Sequence, residues 1–217
     1  MTTHRIQLNQ YLREYLEWGG FPEVVLSTEK QATNNANAIT FNSLSTFLNV
    51  SVDTIDKFSD YFARVYMVEF LRRFSFKVKE QEKSPRKVYC VDTGLANAVG
   101  FRFSENIGRL AESIVFWHLC RVGFQNPGTE LYYWKDDQHR EIDFIVKTQL
   151  KINQAIQVCW NLDDPKTKRR EIKSRLKGMA ALKLKEALII TETHEGAEKI
   201  EGMTIHYQPI IPWLLEH

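Results

Sequence analysis

Two stretches of helical periodicity meet at Asn49-Val50-Ser51, and no other feature of the chain narrows its fold as much. Over 39–50 the apolar residues Phe41, Leu44, Phe47 and Leu48 fall on one helical face. Over 52–67 Ile55, Phe58, Phe62, Val65 and Tyr66 repeat the pattern. Ser51 offers the side-chain oxygen of an N-cap, which accepts one of the unpaired N–H groups of a first helical turn. The expectation is a helix, a tight turn and a second helix, the layout of a helix-turn-helix. Downstream, 68–78 alternates toward strand character, 79–87 reads as a charged turn around Ser84-Pro85, and 87–91 is a second run of β-branched and aromatic residues. Two strands about a basic turn would form a wing.

On either side the pattern changes. Leu8, Tyr11, Leu12, Tyr15 and Leu16 predict a short helix that stops at Gly19-Gly20, followed by a polar loop over 27–38. Past the wing, Leu110, Ile114, Val115 and Leu119 predict a helix over 107–122, ended by Gly123. Strands follow at 131–134, 141–147 and 155–161, then a helix at 166–184, strands at 187–191 and 204–207, and a closing apolar segment at 211–215. This order predicts a mixed α+β or α/β fold whose first three strands form a meander and whose fourth is reached by a crossover. The expected organisation is an N-terminal helix and linker over 1–38, a winged helix-turn-helix over 39–100, and an α/β domain over 101–217.

The composition, 43% hydrophobic and 26% charged, excludes long disordered tails. The net charge of +2 hides an uneven distribution, because 72–87 and 166–185 hold 16 of the 29 Lys and Arg residues. Two basic stretches in an acidic body suit a polyanion partner, and equally a solvated helix face. Cys90, Cys120 and Cys159 are odd in number, far apart and in no C-x-x-C pair, against both a disulfide framework and a cysteine zinc site. No apolar run reaches the roughly 18 residues of a membrane span, and 1–10 has no signal-peptide core. A cytoplasmic protein without a membrane partner is expected.

Strand alternation also makes a statement about chemistry. Ile142, Phe144 and Val146 are expected on one face, with Asp143 on the other; Ile156, Val158 and Trp160 share a face opposite Gln157 and Cys159. In neighbouring strands Asp143 and Gln157 would converge, and Glu112, on the polar side of the preceding helix, would be a third member. Their oxygens are ligands of the kind Mg²⁺ or Mn²⁺ accepts. In the other reading, Asp143 is a solvent-facing strand residue paired with Arg140 or Lys135.

Gly108-Arg109-Leu110-Ala111-Glu112, Tyr132-Tyr133-Trp134-Lys135 leading into Arg140-Glu141-Ile142-Asp143-Phe144, and Ile156-Gln157-Val158-Cys159 resemble the C-terminal region of an archaeal and bacterial ATPase family. The last domain of that family belongs to the PD-(D/E)XK nuclease superfamily. The stretch 39–100, with Lys87-Val88-Tyr89-Cys90-Val91-Asp92-Thr93-Gly94-Leu95, is similar to its winged-helix segment. The resemblance implies a DNA-binding protein with a Mg- or Mn-dependent phosphodiesterase domain. It implies Glu112, Asp143 and Gln157 at the metal, with Cys159 at the place of the catalytic lysine. A thiol does not supply an ammonium's charge, so cleavage would need Lys166, Lys168 or another helix residue. The chain has no G-x-x-x-x-G-K-[ST] loop and hence no ATP site of that kind; it would be either a fragment of a longer ATPase or a stand-alone protein with a separate ATPase module as partner.

A DNA-binding winged helix would set Ser51, Asp53, Thr54 and Lys57 toward the major groove, with Lys79, Lys83, Arg86 and Lys87 on phosphates. The alternative is a non-catalytic accessory or regulatory domain, acting through protein contacts with an ATPase module or in a homo-oligomer.

Overall fold

The structure is a computed structural model and describes residues 3–19, 38–99, 107–162 and 165–216. The expected loop over 27–38 and the boundary at 100/101 fall mostly outside these residues, as do the side chains of Lys166 and Lys168. The chain divides into two compact units, one of Met1–Arg72 with Val78–Ile114 and one of Arg73–Lys77 with Val115–His217. The fold is mixed α+β, as expected, with helices and both antiparallel and parallel strand pairing.

The first unit opens with α1 (Thr3–Trp18). Gly19 ends this helix at φ +73°, a conformation open to glycine, and a Cβ there would lie 2.2 Å from Asp92 Oδ1. Then come β1 (Ala38–Ile39), α2 (Phe41–Leu48), α3 (Val52–Arg64) and β2 (Val68–Leu71). The junction that dominates the sequence is built as expected. A reciprocal capping box starts α2, with Ser43 N–H donating to Thr40 Oγ1 and Thr40 N–H to Ser43 Oγ. Asn49 ends it in the left-handed region, and Ser51 Oγ accepts the Thr54 N–H at 3.1 Å to start α3. The expected wing differs. β2 stops at Leu71, and α4 (Val78–Lys83) occupies much of the supposed turn, because Lys, Glu and Gln are good helix formers. β3 (Arg86–Cys90) returns to complete an antiparallel sheet of order β1-β3-β2, and α5 (Thr93–Val99) follows.

α6 (Ile107–Gln125) begins in the first unit and continues into the second. It runs through Gly123 rather than ending there; glycine costs a helix interior only about 1 kcal/mol. β4 (Thr129–Lys135), β5 (Glu141–Thr148) and β6 (Lys151–Val158) form the expected antiparallel meander, and α7 (Pro165–Leu182) crosses over to parallel β7 (Glu186–Thr191). β8 (Gly196–Ile200), β9 (Met203–Pro209) and α8 (Ile210–Glu216) complete a six-stranded sheet of order β4-β5-β6-β7-β9-β8. Its core holds Ile142, Ile145, Ala155, Met179, Leu182, Ile189 and Ile205. Burying aliphatic side chains of this size contributes roughly 1.5–3 kcal/mol each. Arg73–Lys77 joins this unit by its backbone, as Phe74 N–H donates to the Tyr133 carbonyl and the Phe74 ring sits edge-on to Tyr132.

Strict alternation fails in β5. Tyr132 pairs with Ile145 and Trp134 with Ile142, so two steps on β4 meet three on β5, which marks a bulge. The extra residue reverses the parity. Ile142 and Ile145 enter the same core cluster, whereas Phe144 stacks on Phe116 of α6 with ring centroids 6.3 Å apart. The expected shared face of Ile142, Phe144 and Val146 is corrected accordingly.

Candidate functional site

β5 and β6 pair as far as Phe144 and Ile156, and β6 then runs parallel to β7 through Ile156, Gln157 and Val158. Where the β5–β6 ladder ends, side chains replace it. The Asp143 N–H donates to Gln157 Oε1 at 2.9 Å, and the Val158 N–H donates to Asp143 Oδ2 at 3.0 Å. Asp143 is only 4% exposed. Both oxygens therefore satisfy backbone donors that would be costly to leave unpaired beside a buried sheet.

The structure thus brings Asp143 and Gln157 together. It also corrects the picture of Asp143 as a solvent-facing residue paired with Arg140 or Lys135. Arg140 pairs with Asp136, and Lys135 with Glu141 at 2.9 Å. Burial pushes the Asp136 carboxyl up, but hydrogen bonds from the Arg140 guanidinium and from backbone N–H groups outweigh it and hold the group below the ordinary carboxylate range.

Glu112 lies in the first unit, on α6. Its Oε1 accepts from the Lys87 ammonium at 2.8 Å and from the Tyr89 hydroxyl at 2.6 Å. Cys159 follows β6, half-buried against the core of the second unit, with its N–H on the Ile190 carbonyl and its thiol 3.5 Å from the Asn161 carbonyl. Nearby, burial pushes the Tyr207 phenol up to about 12, and the carboxylate of Glu198 adds to the shift.

A side-chain oxygen of each of Glu112, Asp143 and Gln157 is already taken by a donor of the protein itself. A divalent ion needs carboxylate oxygens turned to it, whereas an ammonium already sits on Glu112 Oε1 and a backbone N–H on each of Asp143 Oδ2 and Gln157 Oε1. Among the described residues no three His, Cys, Asp or Glu side chains gather into a group that could hold a metal ion.

The residues expected at DNA separate into two kinds. Lys57, Lys79 and Lys83 are exposed. Ser51 is spent on its cap and on a 2.8 Å hydrogen bond to the Thr54 hydroxyl, and Arg86 lies over the Phe41 ring, 5.1 Å from its centroid. Lys87 is 2% exposed, and its pairing with Glu112 corrects the expected phosphate contact.

A feature that the sequence displayed, but that reads as an ordinary core face, is the apolar side of the helix pair. Phe47 is 83% exposed and Phe58 55%, and Leu48, Tyr61, Phe62, Val65 and Tyr66 are exposed with them. The periodicity that located the helices also marked these residues; it carried no sign of whether anything covers them.

With the geometry in view, the comparisons divide the chain at the start of α6. Residues 107–210 match a domain of unknown function, DUF4143. Residues 31–106 match a second domain of unknown function, DUF8612. The DUF4143 match contains Glu112, Asp143, Gln157 and Cys159, and the other contains α2, α3 and the three-stranded sheet. An uncharacterized protein of Methanocaldococcus jannaschii is 30% identical over 243 aligned residues, which cover 92% of this chain and 53% of the relative. The chain thus spans about half the length of that relative. No solved structure matches it.

Proposed function

We propose that the chain is a non-catalytic accessory module that acts through protein contacts. The observation that carries this reading is the distribution of exposed apolar surface. Among the described residues, every exposed large hydrophobic side chain except Phe76, Leu150 and Leu215 belongs to the first unit. Concentrated apolar exposure of this kind is a mark of interaction sites on soluble proteins. The helix pair between β1 and β2, with sheet order β1-β3-β2, supports a winged-helix framework for that unit. The sequence resemblance supports a nuclease-like second unit, and the engaged oxygens of Asp143 and Gln157 support a fold-holding role for its polar groups. The sequence resemblance to the ATPase family supports an ATPase module as the partner.

A second reading, duplex DNA binding, is favoured by the exposed Lys57, Lys79 and Lys83. Against it, α3 carries Asp53, Asp56 and Asp60 beside Lys57 and Arg64, and Arg64 is paired with Asp60 at 2.8 Å. Fluorescence anisotropy of a labelled duplex over a range of salt concentrations separates the two. The accessory reading expects weak binding that is unchanged in Lys79→Ala/Lys83→Ala. A log K falling by about 0.9 per neutralised phosphate for each tenfold rise in salt, flattened in that variant, would establish DNA binding instead.

A further inference from the structure

Phe58, Tyr61, Phe62 and Val65, along α3 and its C-cap, are exposed and stand at the spacing i, i+3, i+4, i+7, the seam by which one helix packs against another. Phe58 and Tyr61 already meet edge to face, with 6.2 Å between ring centroids. The next residue adds a second and independent sign. Tyr66 stands at φ +57° where the helix closes, its N–H on the Ala63 carbonyl and the Met67 N–H on the Phe62 carbonyl. That left-handed position favours glycine, and a bulky side chain held there is strained. Its ring adds little to the fold of its own chain, since Tyr66 is 67% exposed. Met67, beside it, is exposed as well. We infer that this seam, completed by Tyr66, is the contact by which two copies of the chain form a two-fold dimer, with α3 laid antiparallel on α3.

Area and self-complementarity select this occupant. About half of each side chain is exposed, so Phe58, Tyr61, Phe62, Val65, Tyr66 and Met67 together offer on the order of 600 Å² per copy. A specific interface buries about 600–1,000 Å² per partner, so the seam reaches the lower bound of a stable dimer and predicts a Kd in the micromolar range. No charged residue interrupts it. Asp53, Asp56 and Asp60 lie on the opposite side of α3, so two seams meet without bringing carboxylates together. At the rim Arg64 is paired with Asp60 at 2.8 Å, and Lys57 is exposed, where solvent and salt screen it from its copy. One lysine is too little charge to hold a phosphate backbone. Aromatic rings set against aromatic rings gain from edge-to-face pairing beyond their area, and a surface that is its own complement is what a two-fold contact requires.

The test is sedimentation equilibrium of the full chain from about 1 to about 100 µM, the span over which an interface of this area titrates. The wild type is expected to pass from monomer to dimer across it. Phe58→Glu/Tyr61→Glu changes two exposed positions and should weaken association at least about a hundredfold, leaving a monomer throughout, with circular dichroism to show that the protein stays folded. Tyr66→Gly separates contact from fold. Glycine relieves the left-handed backbone, so the monomer at low concentration should be at least as stable in urea as the wild type, while dimerisation weakens about tenfold. A wild type still monomeric at about 100 µM would overturn the inference. So would association unchanged in Phe58→Glu/Tyr61→Glu, or a Tyr66→Gly protein that dimerises like the wild type. The dimer goes beyond the accessory reading, which metal-dependent cleavage tests, so one can fail without the other.

Discussion

Asp143 and Gln157 hold each other where β5 and β6 part: the Asp143 N–H rests on Gln157 Oε1, and the Asp143 carboxylate takes the N–H of the next residue, Val158. The pair closes a ladder that backbone groups alone leave open.

Asp143→Ala should therefore destabilise the protein in metal-free buffer. Removing the acceptor leaves the part-buried Val158 N–H unsatisfied, a cost toward the lower end of about 1–3 kcal/mol. Asp143→Asn keeps a carbonyl oxygen and should lose less. Urea unfolding of the three proteins checks the order. A carboxylate kept only for a metal would give the opposite result, with neutral or stabilising substitutions when no metal is present.

The second prediction concerns Lys87 and Glu112. Their side chains are 3% and 12% exposed, and the pair is 2.8 Å apart. Lys87→Ala strands a carboxylate inside the first unit and should cost about 3–5 kcal/mol. Lys87→Met/Glu112→Leu removes both charges and should be markedly more stable than the single variant, though Tyr89 then loses its acceptor. Thermal unfolding of the set decides it. A Lys87→Ala protein as stable as the wild type would show the lysine to be a solvated surface group after all.

Much of this architecture was legible because its signals are local. Ser51 and the glycine after α1 mark helix ends within a few residues, and the meander with its crossover follows from the order of the periodic segments. What the sequence hides depends on distant partners. The bulge in β5 is set by its pairing with β4, and it reassigns Phe144 to α6 with no trace in the local pattern. Lys87 sits in a basic stretch, so its burial could not be read without Glu112, 25 positions away. β8 is poor in β-formers and exists by pairing with β9, whereas α5 carried a local signal, Asp92 Oδ1 accepting the Leu95 N–H at 2.8 Å. Of the candidate site, the approach of Asp143 to Gln157 was visible from alternation; that their oxygens serve the backbone was not.

Tyr207 supplies a pH dependence. Burial, reinforced by Glu198, raises its folded value to about 12, above the roughly 10 of an unfolded tyrosine. Its contribution to stability is complete below the unfolded value and is lost as pH rises toward and through the folded one, because only the unfolded chain ionises freely in that window. Denaturation midpoints measured from neutral to strongly alkaline pH should therefore fall, and Tyr207→Phe should flatten that fall. An equally steep fall in the variant would place the alkaline transition elsewhere.

The most direct test of the central claim is plasmid cleavage in Mn²⁺ or Mg²⁺ by the wild type beside Asp143→Ala. One oxygen each of Glu112, Asp143 and Gln157 already accepts from Lys87, Tyr89 or the backbone, and on the accessory reading no cleavage by either protein and no rise in melting temperature with either ion are expected. Cleavage by the wild type that disappears in Asp143→Ala would contradict it and establish a working metal-dependent nuclease.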